Sequence, residues 1–481
     1  MSPEHPCTRE GLCGPRSIPS SSPSSFSPGA AAMRDSFWKC RTNASPSKKK
    51  KGEGVISRQG EGREVRTTAY RPAFLDSQGR TVQSSSPIRI HAYENLNAHP
   101  NTHSRGNMST STPRVGFLGA ANIAWCAWTG VHANNMRVTR VGCRDVERGR
   151  NFVERVCNAL KIDEASAPAV CSYDELVSAE DVDVVYIAIP VKVRDHWIRA
   201  CIQHKKHVIG EKPPASDAEM LRSWIEALDR QNLLYMDGTM LSHGERVKNV
   251  CAAVKQMGGP IKHIFANVTL GGDEAFLEND IRTNPELEPH GALGDLGWYC
   301  IRYVLHLMDF QMPTEVSGRI LKQNKQGAII SFTGDMTFEV AGGVALASFF
   351  VSFEAAFEQT LHITTTEGTL RLDDICWPIT NRPETEYCEV HSSSCGNVCE
   401  SHNHGAEVKH TVEGDAPDSQ CTGLWGDVTR ILYADGDGDA RRFKAKEESS
   451  RYWAIVSWKT QAVMDKVLES ALVGRSDAPT V

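Results

Sequence analysis

The chain is predicted to be an α/β protein: a doubly wound parallel sheet first, followed by a region rich in half-buried strands. Three observations carry this. From Arg114 to Met240 short apolar strands alternate with helix-length amphipathic segments, the pattern of a parallel sheet wound by helices. The first strand enters its helix through a glycine turn, Arg114-Val-Gly-Phe-Leu-Gly119-Ala-Ala121-Asn-Ile-Ala124. Beyond residue 260 the helical spacing gives way to period-two alternation, which marks half-buried strands.

Residues 1–113 are a different physical object from the rest. They hold 16 Lys+Arg against 8 Asp+Glu, whereas the remainder holds 37 against 51. With Ser-rich and Lys-rich runs and no apolar periodicity, this stretch cannot bury enough surface to fold. Residues 1–112 therefore read as a disordered or organelle-targeting extension, and Met108 lies just before the first strand. The Lys48–Lys51 run reads as a solvated tail, not a nucleic-acid patch. In the first domain, taken as 113–240, strands are predicted at 115–118, 138–143, 184–189, 207–210 and 233–236. Helices are predicted at 123–133, 147–160, 194–204 and 217–231. The second domain, 241–475, is predicted to carry strands at 261–270, 315–321, 328–332, 336–340, 344–353 and 361–366, with a loop insertion near 376–420.

Composition excludes some classes. At 40% hydrophobic and 23% charged the chain is ordinary for a soluble protein. Its longest apolar stretch, Val182 to Val191, is broken by Asp183 and Pro190, so no membrane span is expected. Fifteen scattered cysteines with no apolar signal segment before them point to a reducing, cytoplasmic setting, with organelle targeting left open, and no disulfides are expected.

The candidate cofactor site follows from the strand ends. Gly119, Ala121 and Ala124 stand where a dinucleotide fingerprint places glycines; Ala121 adds a methyl where backbone approaches the diphosphate. Asn122 and Ile123 complete the turn. The second strand ends Gly142-Cys143-Arg144-Asp145, and an arginine at that edge suits the 2′-phosphate of NADP. NADP is favoured over NAD, the plain alternative being a surface arginine in a turn. Ile189, Pro190, Glu211 and Lys212 lie at the carboxyl ends of two further strands, the edge where such sheets bind ligands. Lys212 is the most informative of them: a β-branched strand stops abruptly at Glu211-Lys212-Pro213, and Pro213 restrains both its own φ and the conformation of Lys212.

Val115-Gly-Phe-Leu-Gly119, Asp183-Val-Asp-Val-Val-Tyr-Ile-Ala-Ile-Pro190 and Lys206-His-Val-Ile-Gly-Glu-Lys-Pro213, in this order, resemble the glucose-fructose oxidoreductase and inositol dehydrogenase (Gfo/Idh/MocA) family. Tyr235-Met-Asp-Gly-Thr-Met240, Gly272 to Arg282 and Gly291-Ala-Leu-Gly-Asp-Leu-Gly-Trp-Tyr-Cys-Ile-Arg302 are similar to a plant-type branch related to dimeric dihydrodiol and xylose dehydrogenases. The resemblance covers 114–372 well and 421–472 loosely. It implies an N-terminal Rossmann dinucleotide-binding domain and a C-terminal α+β domain with an open, mainly antiparallel sheet that pairs two subunits, hence a homodimer.

Asp295 and Tyr299 are four residues apart, so on a helix they share a face. The resemblance places an acid/base tyrosine at position 299. Hydride leaves a carbinol carbon only as the hydroxyl proton leaves, so a base must lie within hydrogen-bond reach. A nearby ammonium depresses a phenol's pKa. Tyr299 is accordingly assigned as acid/base, Lys212 as electrostatic activator and orienter, and Asp295 as partner of Lys212 or of substrate hydroxyls. Asp280 and Arg282 are weaker candidates for the substrate pocket. The expected activity is NADP-dependent hydride transfer to or from a sugar, polyol or trans-dihydrodiol; the alternative is an NADP-binding sensor or scaffold without turnover.

Some features stand apart. Many relatives carry Asn or Thr after the strand-ending proline and His four residues beyond it; Val191 and Arg194 stand there instead. His243 reads as a satisfied or solvated histidine; His290, just before the helix, could reach the cleft, the plainer reading being again a satisfied or solvated ring. Cys388, Cys395, Cys399, His402 and His404 cluster in a polar stretch without strand signal, but the two compact pairs of a structural zinc site are lacking and no metal is assigned. Small polyhydroxylated substrates, and neither nucleic acid nor membrane, are the expected partners.

Overall fold

The computed structural model describes residues 112–377, 384–391, 407–413, 419–434 and 443–473, together with a short ladder of Phe74–Leu75 with Thr81–Val82. The predicted N-terminal extension otherwise lies outside the described residues, as do Cys395, Cys399, His402 and His404.

Six parallel strands form the first sheet: β1 Arg114–Leu118, β2 Arg137–Gly142, β3 Ala169–Cys171, β4 Val184–Ile187, β5 His207–Gly210 and β6 Tyr235–Asp237. Their spatial order is β3-β2-β1-β4-β5-β6, so chain direction across the sheet reverses between β1 and β4, the crevice where doubly wound sheets bind dinucleotides. β4 and β5 are buried throughout, which is why they read as continuous β-branched runs: helices cover both faces. Helix α1, Ile123–Ala133, follows β1, and α2, Val146–Leu160, follows β2. The short β3 and the one-and-a-half-turn helix α3, Tyr173–Ser178, are too brief to give a periodic signal. Helix α4 is Arg194–Gln203 and α5 is Ala218–Asp229.

After helix α6, Glu245–Met257, the chain builds an eight-stranded sheet: β7 Ile261–Thr269, β8 Glu315–Gln323, β9 Ile329–Val340, β10 Gly343–Ser352, β11 Glu358–Thr365, β12 Gly368–Leu372, β13 Glu384–His391 and β14 Glu407–Glu413. The order is β8-β9-β10-β7-β11-β12-β13-β14, antiparallel except for β10 beside β7. Two predicted strands merge into β9, because Phe332, Gly334, Met336 and Phe338 continue one buried face through the glycine. β13 and β14 run where the sequence predicts an insertion loop; their polar alternation, Glu384 to His391 and Glu407 to Glu413, hides a two-stranded extension of the sheet edge.

Between β7 and β8 come the short helix α7, Glu274–Asn279, and a π-helical turn, Leu293–Gly297, which runs into helix α8, Trp298–Leu307. Helix α9, Ser419–Ile431, and helix α10, Glu447–Val473, return to the first sheet and to β8. This return overturns one expectation. A disulfide joins Cys126 of α1 to Cys421 of α9 across 295 residues. The helices approach closely at Gly130, where a Cβ would stand 2.5 Å from the Cys421 carbonyl oxygen; a contact made by distant segments leaves no trace in cysteine spacing.

Candidate active site

The glycine turn is built by sterics. Gly119 has φ +112°, and a Cβ there would lie 2.6 Å from the Ala188 carbonyl oxygen, so only glycine passes between β1 and the end of β4. Its N–H donates to Gly142 O at 3.0 Å. At the start of α1 no side chain caps the helix and no acidic residue sits in the first turn. Those amides are thus available to an anion, and the turn fits a dinucleotide diphosphate. Asn122 borders an open depression of about 330 Å³ shared with Asp145, Arg148 and Arg155. Asp145 is engaged locally: its carboxylate accepts from Arg148 N at 3.1 Å and caps α2. Arg144 is exposed beside it, and both Arg144 and Arg148 lie near the Tyr173 hydroxyl, whose pKa burial nevertheless raises. The second-strand edge therefore offers cations and a phenol for a 2′-phosphate, while its carboxylate is occupied.

A second cavity, about 140 Å³, lies where the ends of β4 and β5 face the π turn. It brings together Ala121, Ile123, Ile189, Pro190, Glu211, Lys212, Arg282, Asp295 and Tyr299. Asp280 is not on its wall; it caps the turn at Ile281–Thr283 and pairs with Arg282 at 3.1 Å. Lys212 enters on a ledge whose Lys212–Pro213 peptide is cis. Gly294 lets the π turn close on it, since a Cβ there would meet Pro213 Cγ at 3.1 Å.

Charge is organised around Asp295. Lys212 Nζ is 2.7 Å from Oδ1 and 3.0 Å from the Asp295 carbonyl oxygen, while Arg282 Nε is 3.1 Å from Oδ2. Burial opposes ionisation of this carboxyl, but the two cations prevail and hold it below the ordinary carboxylate range. Glu211 behaves oppositely. Burial pushes its pKa up although it accepts from the Tyr186 hydroxyl at 2.5 Å and from Lys212 N at 3.2 Å. Tyr299 is buried, with Trp377 edge-on at 5.2 Å.

One electrostatic expectation is reversed. Lys212 Nζ sits 4.6 Å from the centroid of the Tyr299 ring, over its face, while the hydroxyl points to Met240 Sδ at 3.9 Å. Burial, with Cys376, Glu211 and Asp295 adding to it, drives the phenol well above its ordinary pKa. The ammonium meets the ring's negative face and does not ionise the hydroxyl. The phenol remains a proton donor.

Three wall residues escaped the sequence reading as contributors. Glu288 accepts from Val191 N at 3.2 Å. Trp377 lies beyond the last strand that carries a clear pattern. Arg194 is buried; its signal was present, because Arg194, Ile198 and Cys201 share one helical face. His290 also lines the cavity, with Nε2 3.0 Å from Ser216 O and a pKa lowered to about 4 by burial. His243 lies elsewhere, stacked on Trp453 and 2.6 Å from Asp427.

Two family models cover the chain around this site: an oxidoreductase family with an NAD-binding Rossmann fold over residues 114–239, and the Gfo/Idh/MocA C-terminal domain over 255–371. The chain belongs to the Gfo/Idh/MocA oxidoreductases. Among curated relatives, a dTDP-3,4-didehydro-2,6-dideoxy-α-D-glucose 3-reductase of Streptomyces antibioticus is 26% identical over 277 residues, 57% of this chain and 79% of that one. A trans-1,2-dihydrobenzene-1,2-diol dehydrogenase of Xenopus laevis is 25% identical over 284 residues, again 57% and 79%. Among solved structures, a 3-ketoreductase from Actinomadura kijaniata in complex with NADP and TDP-benzene superposes with a TM-score of 0.60 at 19% identity, covering 75% of this chain and 98% of that one. This Gfo/Idh/MocA member is thus an oxidoreductase of the Rossmann type. Among its described residues no helix is long and apolar enough to cross a membrane.

Proposed function

We propose that this oxidoreductase uses NADP to transfer hydride between the nicotinamide and a secondary alcohol or ketone carbon of a sugar, polyol or trans-dihydrodiol. The observation that carries the reading is the convergence of Lys212, Asp295 and Tyr299 on one cavity bordered by the strand ends of a dinucleotide-binding sheet. When bound, NADP supplies or accepts the hydride. The chain's own task is the proton and the pose. In the reducing direction Tyr299 donates its proton to the developing alkoxide, Lys212 stabilises that charge, and Asp295 holds Lys212 in place. Arg144 engages the 2′-phosphate, with the amides at Ala121, Asn122 and Ile123 facing the diphosphate. Glu211, Ile189 and Pro190 shape the nicotinamide side, and Arg282 borders the substrate.

A homodimer through the second sheet suits its outer face, where Val344 is 59% and Leu346 42% exposed while Ala345 and Ala347 point into the core. Seven buried free cysteines among the described residues, against one disulfide, favour a cytoplasmic setting.

The test is NADPH oxidation and NADP+ reduction with a panel of keto sugars, aldoses, polyols and trans-dihydrodiols. Turnover of at least one class is expected, with kcat lowered about 10²- to 10³-fold in Tyr299→Phe. Saturable NADPH binding with no turnover across the panel would remove this substrate class; an unaltered Tyr299→Phe enzyme would remove the assigned proton donor.

A further inference from the structure

We infer that Arg194 is the positioning residue of this site: one buried guanidinium that fixes the backbone on both sides of Lys212 and so sets where the ammonium stands. The inference rests on the role of Lys212 proposed above. Arg194 is 3% exposed and opens helix α4 directly beneath the ledge. Its Nε donates to Ile189 O at 2.7 Å. Its Nη1 donates to Glu211 O, to Pro213 O at 2.5 Å and to Pro214 O at 3.2 Å. The carbonyls on Nη1 belong to the residue before Lys212 and the two after it. A single side chain therefore ties the end of β4 to both flanks of the catalytic ledge.

The arrangement is costly for stability alone, since a buried cation is unfavourable unless its donors are all matched, and an apolar side chain would fill the same space. Among the described residues Arg194 pairs directly with no carboxylate; Nε and Nη1 donate to backbone carbonyls, and Glu211 and Glu288 feel it only through space. Opposite the guanidinium, Pro213 abuts the π turn at Gly294. Lys212 is thus held between a fixed donor fork on one side and the Asp295 segment on the other. Loss of the fork frees the ledge to shift, and displacement of a catalytic group by about 1 Å lowers a rate about 100-fold. A lysine cannot substitute, because a point charge on a flexible stem lacks the planar fork that reaches Ile189 O and Pro213 O together.

The experiment compares wild type, Arg194→Ala and Arg194→Lys in two assays. In turnover with the best substrate of the panel, both variants are expected to lose about 100-fold in kcat while the substrate KM moves less than about threefold. Guanidinium chloride at low millimolar concentration is expected to restore Arg194→Ala several-fold, with neither sodium chloride nor methylammonium doing so and wild type unaffected. Equal restoration by all salts, or an unchanged kcat, overturns the inference. The second assay needs no substrate: the rate of Lys212 modification by trinitrobenzenesulfonate, read by peptide mass spectrometry, is expected to rise at least fivefold in both variants as the lysine leaves Asp295. An unchanged rate overturns the inference even if no panel compound is turned over, an outcome that would sink only the substrate reading. Should Arg194→Ala fail to fold, Arg194→Lys decides by the same two measurements.

Discussion

Replacing Asp295 should harm the fold more than replacing Lys212, and harm turnover less. The two side chains form a largely buried ion pair, 9% and 12% exposed, at 2.7 Å. Removing one partner of such a pair typically costs about 3–5 kcal/mol because the other charge is stranded. The stranding is unequal here. In Asp295→Asn, Lys212 loses its carboxylate and retains the residue 295 backbone carbonyl at 3.0 Å, while Arg282 still has Asp280 at 3.1 Å; about 3 kcal/mol is expected, the low end of that range. In Lys212→Met, Asp295 keeps Arg282 at 3.1 Å, so about 1 kcal/mol is expected. The double variant strands neither group, and its cost should fall about 2 kcal/mol short of the additive value. Because Asp295 is held below the ordinary carboxylate range, its contribution is present above that range and disappears only as pH falls through the depressed value. The cycle is therefore measured at pH 7 by urea unfolding. In turnover the order reverses: Lys212→Met should lose about 10³-fold and Asp295→Asn about 10²-fold in kcat. Additive stabilities within about 0.5 kcal/mol, or a Met variant less stable than the Asn variant, would refute the claim that Asp295 is shared between two cations.

Arg144→Ala should weaken NADPH binding about 10- to 100-fold, the loss of a charge-assisted contact, and NADH binding less than about threefold; equal losses would dismiss the 2′-phosphate role. His207 and His290, lowered to about 4, and His306, lowered to about 3, are buried as neutral rings. A depressed histidine contributes fully above its ordinary value near 6.5 and loses stability as pH falls below it, so each should cost about 1.4 kcal/mol at pH 5.5. Asp465, raised to about 6, offsets roughly 1 kcal/mol of the total, and a urea midpoint unchanged between pH 7.5 and 5.5 would contradict the assignment. Closing a loop of 295 residues, the Cys126–Cys421 bond should contribute about 5 kcal/mol, the upper end for disulfides, so dithiothreitol should lower the melting temperature of wild type and leave Cys126→Ser unmoved.

The strands at the cavity edge were legible because their buried, β-branched runs and abrupt ends are local facts. The stop at Glu211-Lys212-Pro213 marks a rigid ledge in sequence and forms one in space. The four-residue spacing of Asp295 and Tyr299 also brings both to the cavity, although the turn between them is π-helical, a departure that Gly294 and Gly297 permit. The direction of the Tyr299 pKa was not legible. Charge proximity can be guessed from topology, but whether an ammonium meets a hydroxyl or a ring face depends on side-chain orientation set by Met240 and Trp377, which come from distant segments. In sequence Arg194 stands out only as a departure from the family pattern; its use is not legible there, because carbonyl acceptors carry no residue signature. The Cys126–Cys421 bond and the strands at 384–391 and 407–413 failed for the related reason that long-range return and edge pairing are not periodic.

What fixes the two halves of the active site against each other lies behind it. On α8, three residues past Tyr299, Arg302 donates to Asp237 at the end of β6 at 2.6 Å and to Thr460 of α10 at 2.7 Å; Ser457 donates to the same carboxylate at 2.5 Å. Asp237 is buried, yet after that opposing burial Arg302, Ser457 and Thr239 hold it below the ordinary carboxylate range. Such a network adds little net stability over apolar packing of equal volume, but it tolerates few alternative registers, because any slip leaves a charge unmatched in a dry interior. It therefore acts as a locator. Lys212 is carried by the parallel sheet and Tyr299 by the segment leading to the second sheet, and proton and hydride chemistry at one carbon demands their mutual position to within a fraction of an ångström. Trp377, Thr460 and Ser457 all fall outside the stretches covered by the two family models. The wall on Tyr299 and two of the partners that complete the Arg302–Asp237 network are thus supplied by segments far along the chain from the strand ends they hold in register.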